Sequence, residues 1–184
     1  RFLTFRNLLI SVPFIVSLVI NLYRQDSLML LIGDSARDFL AARDMLLSGS
    51  IPIVGIPSSA PWLHQGPTSV WLIGVAFFFA KFNPVAPAIL FGFLGAITTV
   101  LVWYLGARLF NEKVGFIASL LYATSPLIVV NARMPYHTSL IPFFAAIFFI
   151  LLINALKNKK YLPFLFFSFG LTLLVELSNI VIFG

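Results

Sequence analysis

Five stretches of this 184-residue chain run on with almost no charge: residues 8–23, 85–107, 114–130, 139–156 and 161–183. The first four hold no Asp, Glu, Lys or Arg, and the fifth holds only Glu176. A helix needs about 20 predominantly apolar residues to cross ~30 Å of hydrocarbon, and these stretches approach or exceed that length. Only 10% of the chain is charged and 60% is hydrophobic, whereas a soluble domain carries about 25% charged residues. Lipid must therefore be the solvent for much of the surface, and 21 phenylalanines suit helices packed against acyl chains. The expected fold is all-α, a polytopic transmembrane helix bundle. With no cysteine, a disulfide framework, a thiolate nucleophile and a Cys-ligated zinc site are excluded. The net charge of +6 is spread over short separate loops rather than one basic, aromatic-studded patch. That distribution argues against a nucleic-acid partner and for membrane topology.

Charge placement orients the bundle. A sixth apolar segment, Thr68–Ala80, has 13 residues, which suits a re-entrant or interfacial helix better than a span. If it does not cross, Arg1 and Arg6, then Arg108 and Lys113, then Lys157, Lys159 and Lys160 all fall on one side. By the positive-inside rule that side is the cytoplasm. Residues 24–84 then form one long extracytoplasmic loop carrying juxtamembrane helices. No small-x-small cleavage site follows the first span, so it reads as an uncleaved anchor. The chain opens without Met and stops inside an apolar run, so residues 1–184 are expected to be the N-terminal part of one membrane module. Later spans and a C-terminal domain would lie beyond it.

The outer loop holds four of the six acids, Asp26, Asp34, Asp38 and Asp44. Gly33-Asp34-Ser35 reads as a helix start with Asp34 as N-cap. The helix is expected over residues 36–47, ending before Gly49 as a C′ glycine. Phe39, Ala42 and Leu46 share one face, as in a helix lying on the membrane or the bundle. Beyond it, Pro52, Gly55, Pro57, Ser58, Ser59, Pro61, Gly66 and Pro67 predict an irregular loop. Such backbone is tolerated at membrane depth where it packs in protein or lines a wet cavity. On the residues alone, Asp34 is either a cap favoured by the helix dipole or a carboxylate at the mouth of that cavity.

The run from Gly33-Asp34-Ser35-Ala36-Arg37-Asp38 through Arg43-Asp44-Met45-Leu46-Leu47-Ser48-Gly49 resembles the first outer loop of the GT-C glycosyltransferases. The branch it resembles comprises protein O-mannosyltransferases and lipid A aminoarabinose transferases, which use polyprenyl-phosphate sugars. Pro67 and Trp71 are similar to that family's Pro-Pro-Leu-x-x-Trp segment, and Tyr104-Leu105-Gly106-Ala107-Arg108-Leu109-Phe110 to the cytoplasmic end of the next span. Ser125-Pro126 and Ala132-Arg133 resemble its Ser-Pro…Ser-Arg element. The resemblance covers nearly the whole chain in order and spacing. Three departures point to a subgroup: Asp34-Ser35 replaces the usual Asp-Glu, His64-Gln65-Gly66-Pro67 lacks the frequent Lys, and Thr138 stands where many members place an Asp.

The resemblance implies transfer of a sugar, with inversion, from a polyprenyl-phosphate donor to an acceptor hydroxyl on a protein, lipid or glycan. The site would face outward from the plasma (inner) membrane of a prokaryote, with the N-terminus cytoplasmic. It makes Asp34 the candidate general base and Arg133, then Arg37, the candidate cations for the lipid phosphate. Asp38, His64 and His137 are further candidates for substrate binding. Each has a plainer alternative. Arg133 could cap a helix or snorkel to headgroups; Asp38 could pair with Arg37 or Arg43; the two histidines could be ordinary loop residues. Glu176, near Ser178 and Asn179, is either functional or a helix–helix hydrogen-bonding group. No spacing of acids or histidines fits a metal site, so no cofactor is expected, although a divalent metal is compatible with the chemistry. The rival classes are a transporter or flippase and a structural membrane subunit. Transporters concentrate ionisable groups near the bilayer midplane, whereas these acids crowd into one outer loop.

Overall fold

The computed structural model describes residues 5–58, 62 and 64–176, and within them the chain is helical with no strand beyond one bridge between Pro57 and His64. The all-α expectation is met. The first helix, α1 (Phe5–Leu22), contains Pro13 and carries Ser17 and Asn21 on one buried stripe that continues to Gln25. A left-handed residue, Arg24 (φ 49°), turns the chain into the short α2 (Gln25–Leu28). The polar stripe faces α5 (Val85–Leu109). Asn21 Nδ2 donates to Ser17 Oγ and to the Gly92 carbonyl, both at 3.2 Å. Gln25 Nε2 donates to the carbonyls of Asn21 (2.6 Å) and Ala88 (3.3 Å), and Thr99 Oγ1 donates to Ser17 Oγ at 2.9 Å. Hydrogen bonds between helices, with small residues allowing close approach, are how apolar-solvated helices find one another.

Small residues also set the next crossing. α6 (Glu112–Thr124) starts at an N-cap, Asn111, whose side chain accepts from the Val114 N–H at 3.0 Å. It meets α5 so closely that a Cβ at Gly106 would lie 2.7 Å from the Gly115 Cα. The stretch 114–130 expected as one span is not one straight helix. It breaks at Ser125, and α7 (Pro126–Arg133) leaves at 61° to α6. The cause is Pro126: it has no N–H to continue the ladder of α6 but suits the first turn of a new helix. A 3-10 turn, His137–Leu140, runs into α8 (Ile141–Lys157), and α9 (Leu162–Val175) follows. Among the described residues two helices are long and apolar enough to cross a membrane, Val85–Leu109 and His137–Lys157, and the bent α6–α7 pair makes a third if it crosses as one unit. The last part of the 161–183 stretch, with Ser178 and Asn179, lies outside the described residues, as does Arg1.

The segment between α2 and α5 contributes α3 (Gly33–Ser48) and α4 (Thr68–Ala80). Gly49 ends α3 at φ 67°, the left-handed conformation that glycine adopts without a Cβ clash. The expected cap at the other end is corrected. Ile32 occupies the N-cap position and Asp34 lies inside the first turn. Ser35 supplies the local satisfaction instead, its hydroxyl accepting the Ile32 N–H at 2.9 Å. Asp34 is thereby free to point elsewhere. The apolar face of α3 packs on α4, with Phe39 stacked on Phe77 at 5.3 Å between ring centroids. Ala42, Val70, Ile73, Phe77, Phe91, Leu140 and Val175 form the common core, so α3 and α4 are tied to α5, α8 and α9.

Between α3 and α4 the Pro- and Gly-rich loop folds back on itself. Gly55 N–H donates to the Gln65 carbonyl (3.0 Å) and Gln65 N–H to the Ile56 carbonyl (2.9 Å). Trp71 Nε1 pins the loop through the Pro52 carbonyl at 2.9 Å. At Gly66 the loop lies directly on the end of α9: a Cβ there would fall 1.5 Å from the Leu174 carbonyl oxygen. Thr68 Oγ1 donates to the same oxygen at 2.9 Å.

Candidate active site

The start of α3, the folded-back loop and residues 136–137 surround a polar cavity of about 220 Å³. Asp34, Arg37, Pro57, Ser58, Gln65, Tyr136 and His137 line it. Pockets for drug-sized ligands span about 300–1,000 Å³, so this one suits a single polar headgroup. Asp34 and Arg37 reach it because both lie in the first turns of α3, where the loop has not yet closed over the helix. Arg37 donates to Asp34 and also, at 3.3 Å, to the Pro57 carbonyl. From the other wall Tyr136 Oη donates to Asp34 Oδ2 at 3.3 Å.

These contacts set the ionisation of the cavity. The Arg37 hydrogen bond holds the Asp34 carboxyl below the usual carboxylate range, and the Tyr136 hydroxyl and the nearby His137 act in the same direction. Burial, reinforced by Asp34, pushes Tyr136 up to about 12. The phenol therefore stays protonated and donates, and the carboxylate stays charged and accepts.

Behind the cavity wall lies a second constellation. His137 Nε2 faces Glu176 Oε2 at 3.1 Å and its Nδ1 faces Asp38 Oδ2 at 3.6 Å. The side chains of Asp38, His137 and Glu176 are only 1%, 4% and 9% exposed. Gln65, with its amide nitrogen turned toward Glu176, donates to both carboxylate oxygens at 2.8 and 3.1 Å. The Tyr136 ring lies against that of His137, with centroids 3.9 Å apart. The two carboxylates sit at different edges of one imidazole and share no common point. Among the described residues no group of three or more His, Cys, Asp or Glu is placed to hold a metal ion.

Of the residues singled out from the sequence, Asp34, Arg37 and His137 line the cavity, and Asp38 lies against His137 behind it. His64 is exposed and forms the bridge to Pro57, outside the lining. Arg133 is elsewhere too. Its Nη2 donates to the carbonyls of Ile20 and, at 2.9 Å, Tyr23, at the C-terminal end of α1. There it satisfies orphan carbonyls and complements the helix dipole. Tyr136 and Gln65 had no signal of their own in the sequence. Only adjacency, Tyr136 to His137 and Gln65 to the Gly66-Pro67 turn, drew attention to their segments.

A second, apolar depression of about 550 Å³ runs between the far end of α3 and α4, lined by Met45, Leu46, Trp71, Val75, Phe78 and Phe79 among others. It lies about 16 Å along α3 from Asp34 at 1.5 Å rise per residue.

The sequence model of the family described as dolichyl-phosphate-mannose-protein mannosyltransferase matches residues 64–183, about two-thirds of the chain. The match takes in Gln65, Tyr136, His137 and Glu176 and begins after α3. No significant match was found among curated proteins.

Proposed function

Since the chain belongs to the dolichyl-phosphate-mannose-protein mannosyltransferase family, and so to the membrane glycosyltransferases, we propose that it moves a sugar from a polyprenyl-phosphate donor to an acceptor hydroxyl, with inversion. The observation that carries this reading is Asp34, an ionised carboxylate held between Arg37 and Tyr136 in a small polar cavity. Asp34 is the general base. It takes the acceptor proton as the acceptor oxygen attacks the anomeric carbon from the face opposite the phosphate. The bond from that carbon to the phosphate oxygen breaks, and its electron pair stays on the departing phosphate. Arg37 neutralises that charge; Arg133, engaged by the carbonyls at the end of α1, takes no part in this scheme. The apolar depression between α3 and α4 is where the polyprenyl tail lies. Five spans, a cytoplasmic N-terminus and a site facing outward from a prokaryotic inner membrane complete the proposal, on the strength of where the basic residues fall.

Arg37 has two roles that cannot be filled at once. While it binds Asp34 it keeps the base weak; an arriving phosphate competes for the guanidinium and frees the carboxylate. Arg37→Gln is therefore expected to raise the donor KM roughly ten-fold, equivalent to losing one charge-assisted contact of ~1.5 kcal/mol. It also shifts the pH profile in a set direction. With Arg37 present the Asp34 carboxyl lies below its usual range, so the base stays ionised into acid. Without Arg37 the acid limb of kcat/KM moves to higher pH. An unchanged limb would remove Asp34 from the base role.

The test of the function itself uses the full-length protein in membranes, supplied with a radiolabelled mannosyl polyprenyl phosphate and total membrane acceptors. Release of the labelled sugar onto protein, lipid or glycan is expected. Translocation of the donor with no transfer from it or from other lipid-phosphate sugars would overturn the enzyme reading in favour of a flippase.

A further inference from the structure

We propose that the buried chain Asp38–His137–Glu176 is a positioning device that sets the geometry and charge of Asp34 through Tyr136. The inference rests on Asp34 being the base. His137 lies between two carboxylates, Glu176 at Nε2 and Asp38 at Nδ1. A neutral imidazole donates from one nitrogen only and would turn the lone pair of the other toward a carboxylate. With a carboxylate facing each edge, only the imidazolium can direct an N–H at both. The partners come from three separate elements: Asp38 from α3, His137 from the turn before α8, and Glu176 from the residue after α9. Gln65 adds the folded-back loop through its amide on Glu176.

The same two elements meet twice. Asp34 and Asp38 are one turn apart on α3, and Tyr136 and His137 are neighbours. Tyr136 holds Asp34 at the cavity, while one turn further along α3 Asp38 faces His137 Nδ1 at 3.6 Å, an ion-pair approach rather than a hydrogen bond. The lower rung fixes the upper one, because the Tyr136 ring lies on the His137 ring at 3.9 Å. Charge passes the same way. The groups facing His137 are Asp38, Glu176 and the Tyr136 ring; those facing Asp34 are Arg37, Tyr136 and, at longer range, His137. Loss of the imidazolium thus loosens the Tyr136 hydrogen bond and removes a positive neighbour from Asp34. His137, Asp38 and Glu176 act through Tyr136 and do not touch the reacting atoms.

His137→Gln in the full-length enzyme is expected to lower kcat by roughly 10–100-fold, the usual effect of removing a residue that orients another. The donor KM stays within about two-fold, since Arg37 is untouched. The acid limb of kcat/KM moves to higher pH, which a loss of correctly folded enzyme cannot cause. Tyr136→Phe moves the limb in the same direction, and the double variant is no slower than Tyr136→Phe alone. If His137→Gln fails to accumulate in membranes, Glu176→Gln, which keeps shape and removes one charge, and Tyr136→Phe carry the same readouts. A folded His137→Gln enzyme with the parent kcat and acid limb overturns the positioning role. So does one whose only defect is a smaller active fraction. Asp34→Asn separates this from the wider reading. If that variant is active, the base assignment falls and the device with it. If it is inactive while His137→Gln is neutral, only the device falls.

Discussion

Asp34→Asn in the full-length protein is expected to lower kcat for sugar transfer by on the order of 10²–10⁴, the contribution of a positioned general base. The amide matches the carboxylate in shape: its oxygen can keep the Arg37 contact while its NH2, in place of Oδ2, donates to the Tyr136 hydroxyl oxygen, so the cavity keeps its walls. What it loses is the ability to take a proton from the acceptor hydroxyl. The donor KM is expected to fall or stay level, because Arg37 is no longer drawn to a carboxylate and is available to the phosphate. Single-turnover assays with saturating donor separate the two effects. Transfer at the parent rate would show that Asp34 is structural. Asp34 lies in the first turn of α3, where losing an acid from the helix N-terminus costs about 0.3–1 kcal/mol. A loss of membrane protein in parallel with activity would argue the same way.

The largest structural effect is expected at Gly66. A methyl group there falls 1.5 Å from the Leu174 carbonyl oxygen, which is backbone and cannot rotate away. Gly66→Ala must push the loop off α9 or break the Thr68 hydrogen bond to that oxygen. Overpacking of this kind costs about 1–3 kcal/mol, and contact with backbone places this case at the upper end. The midpoint of thermal inactivation in detergent or bicelles should fall accordingly. Because Gln65 lies next to Gly66 and bonds to Glu176, activity should fall further than the folded fraction does. A variant as stable as the parent would mean that loop and helix end are further apart than they lie here.

Local features were legible in the sequence where one helix decides its own fate. Gly49 stops α3, Thr68–Ala80 has the bounds that its apolar run suggests, and Phe39, Ala42 and Leu46 do line the packed face. Asp34 stood out because acids are scarce in so apolar a chain. Features that depend on two distant segments were not legible. Nothing at Glu176 announces that His137, on another helix, will meet it. Arg133 has the chemistry of a phosphate ligand, yet the α6–α7 bend carries it to the end of α1. Pro126 stood inside a stretch expected as one span, and the direction in which α7 departs after the break is decided by packing. The family match begins at His64, so it covers Gln65, Tyr136 and His137 of the cavity and Glu176 behind them, while α3 lies outside it.

The stripe Ser17, Asn21, Gln25 along α1 bears on how the protein enters its membrane. Alone in lipid, α1 would turn a hydroxyl and two amides toward hydrocarbon, each without a partner beyond its own helix. Those groups are met by Ala88, Gly92 and Thr99 on α5, which is synthesised some sixty residues later. On the proposed topology the first helix is a conditional resident of the bilayer, at ease only once α5 arrives, and the two integrate as a pair with α3 and α4 exported between them.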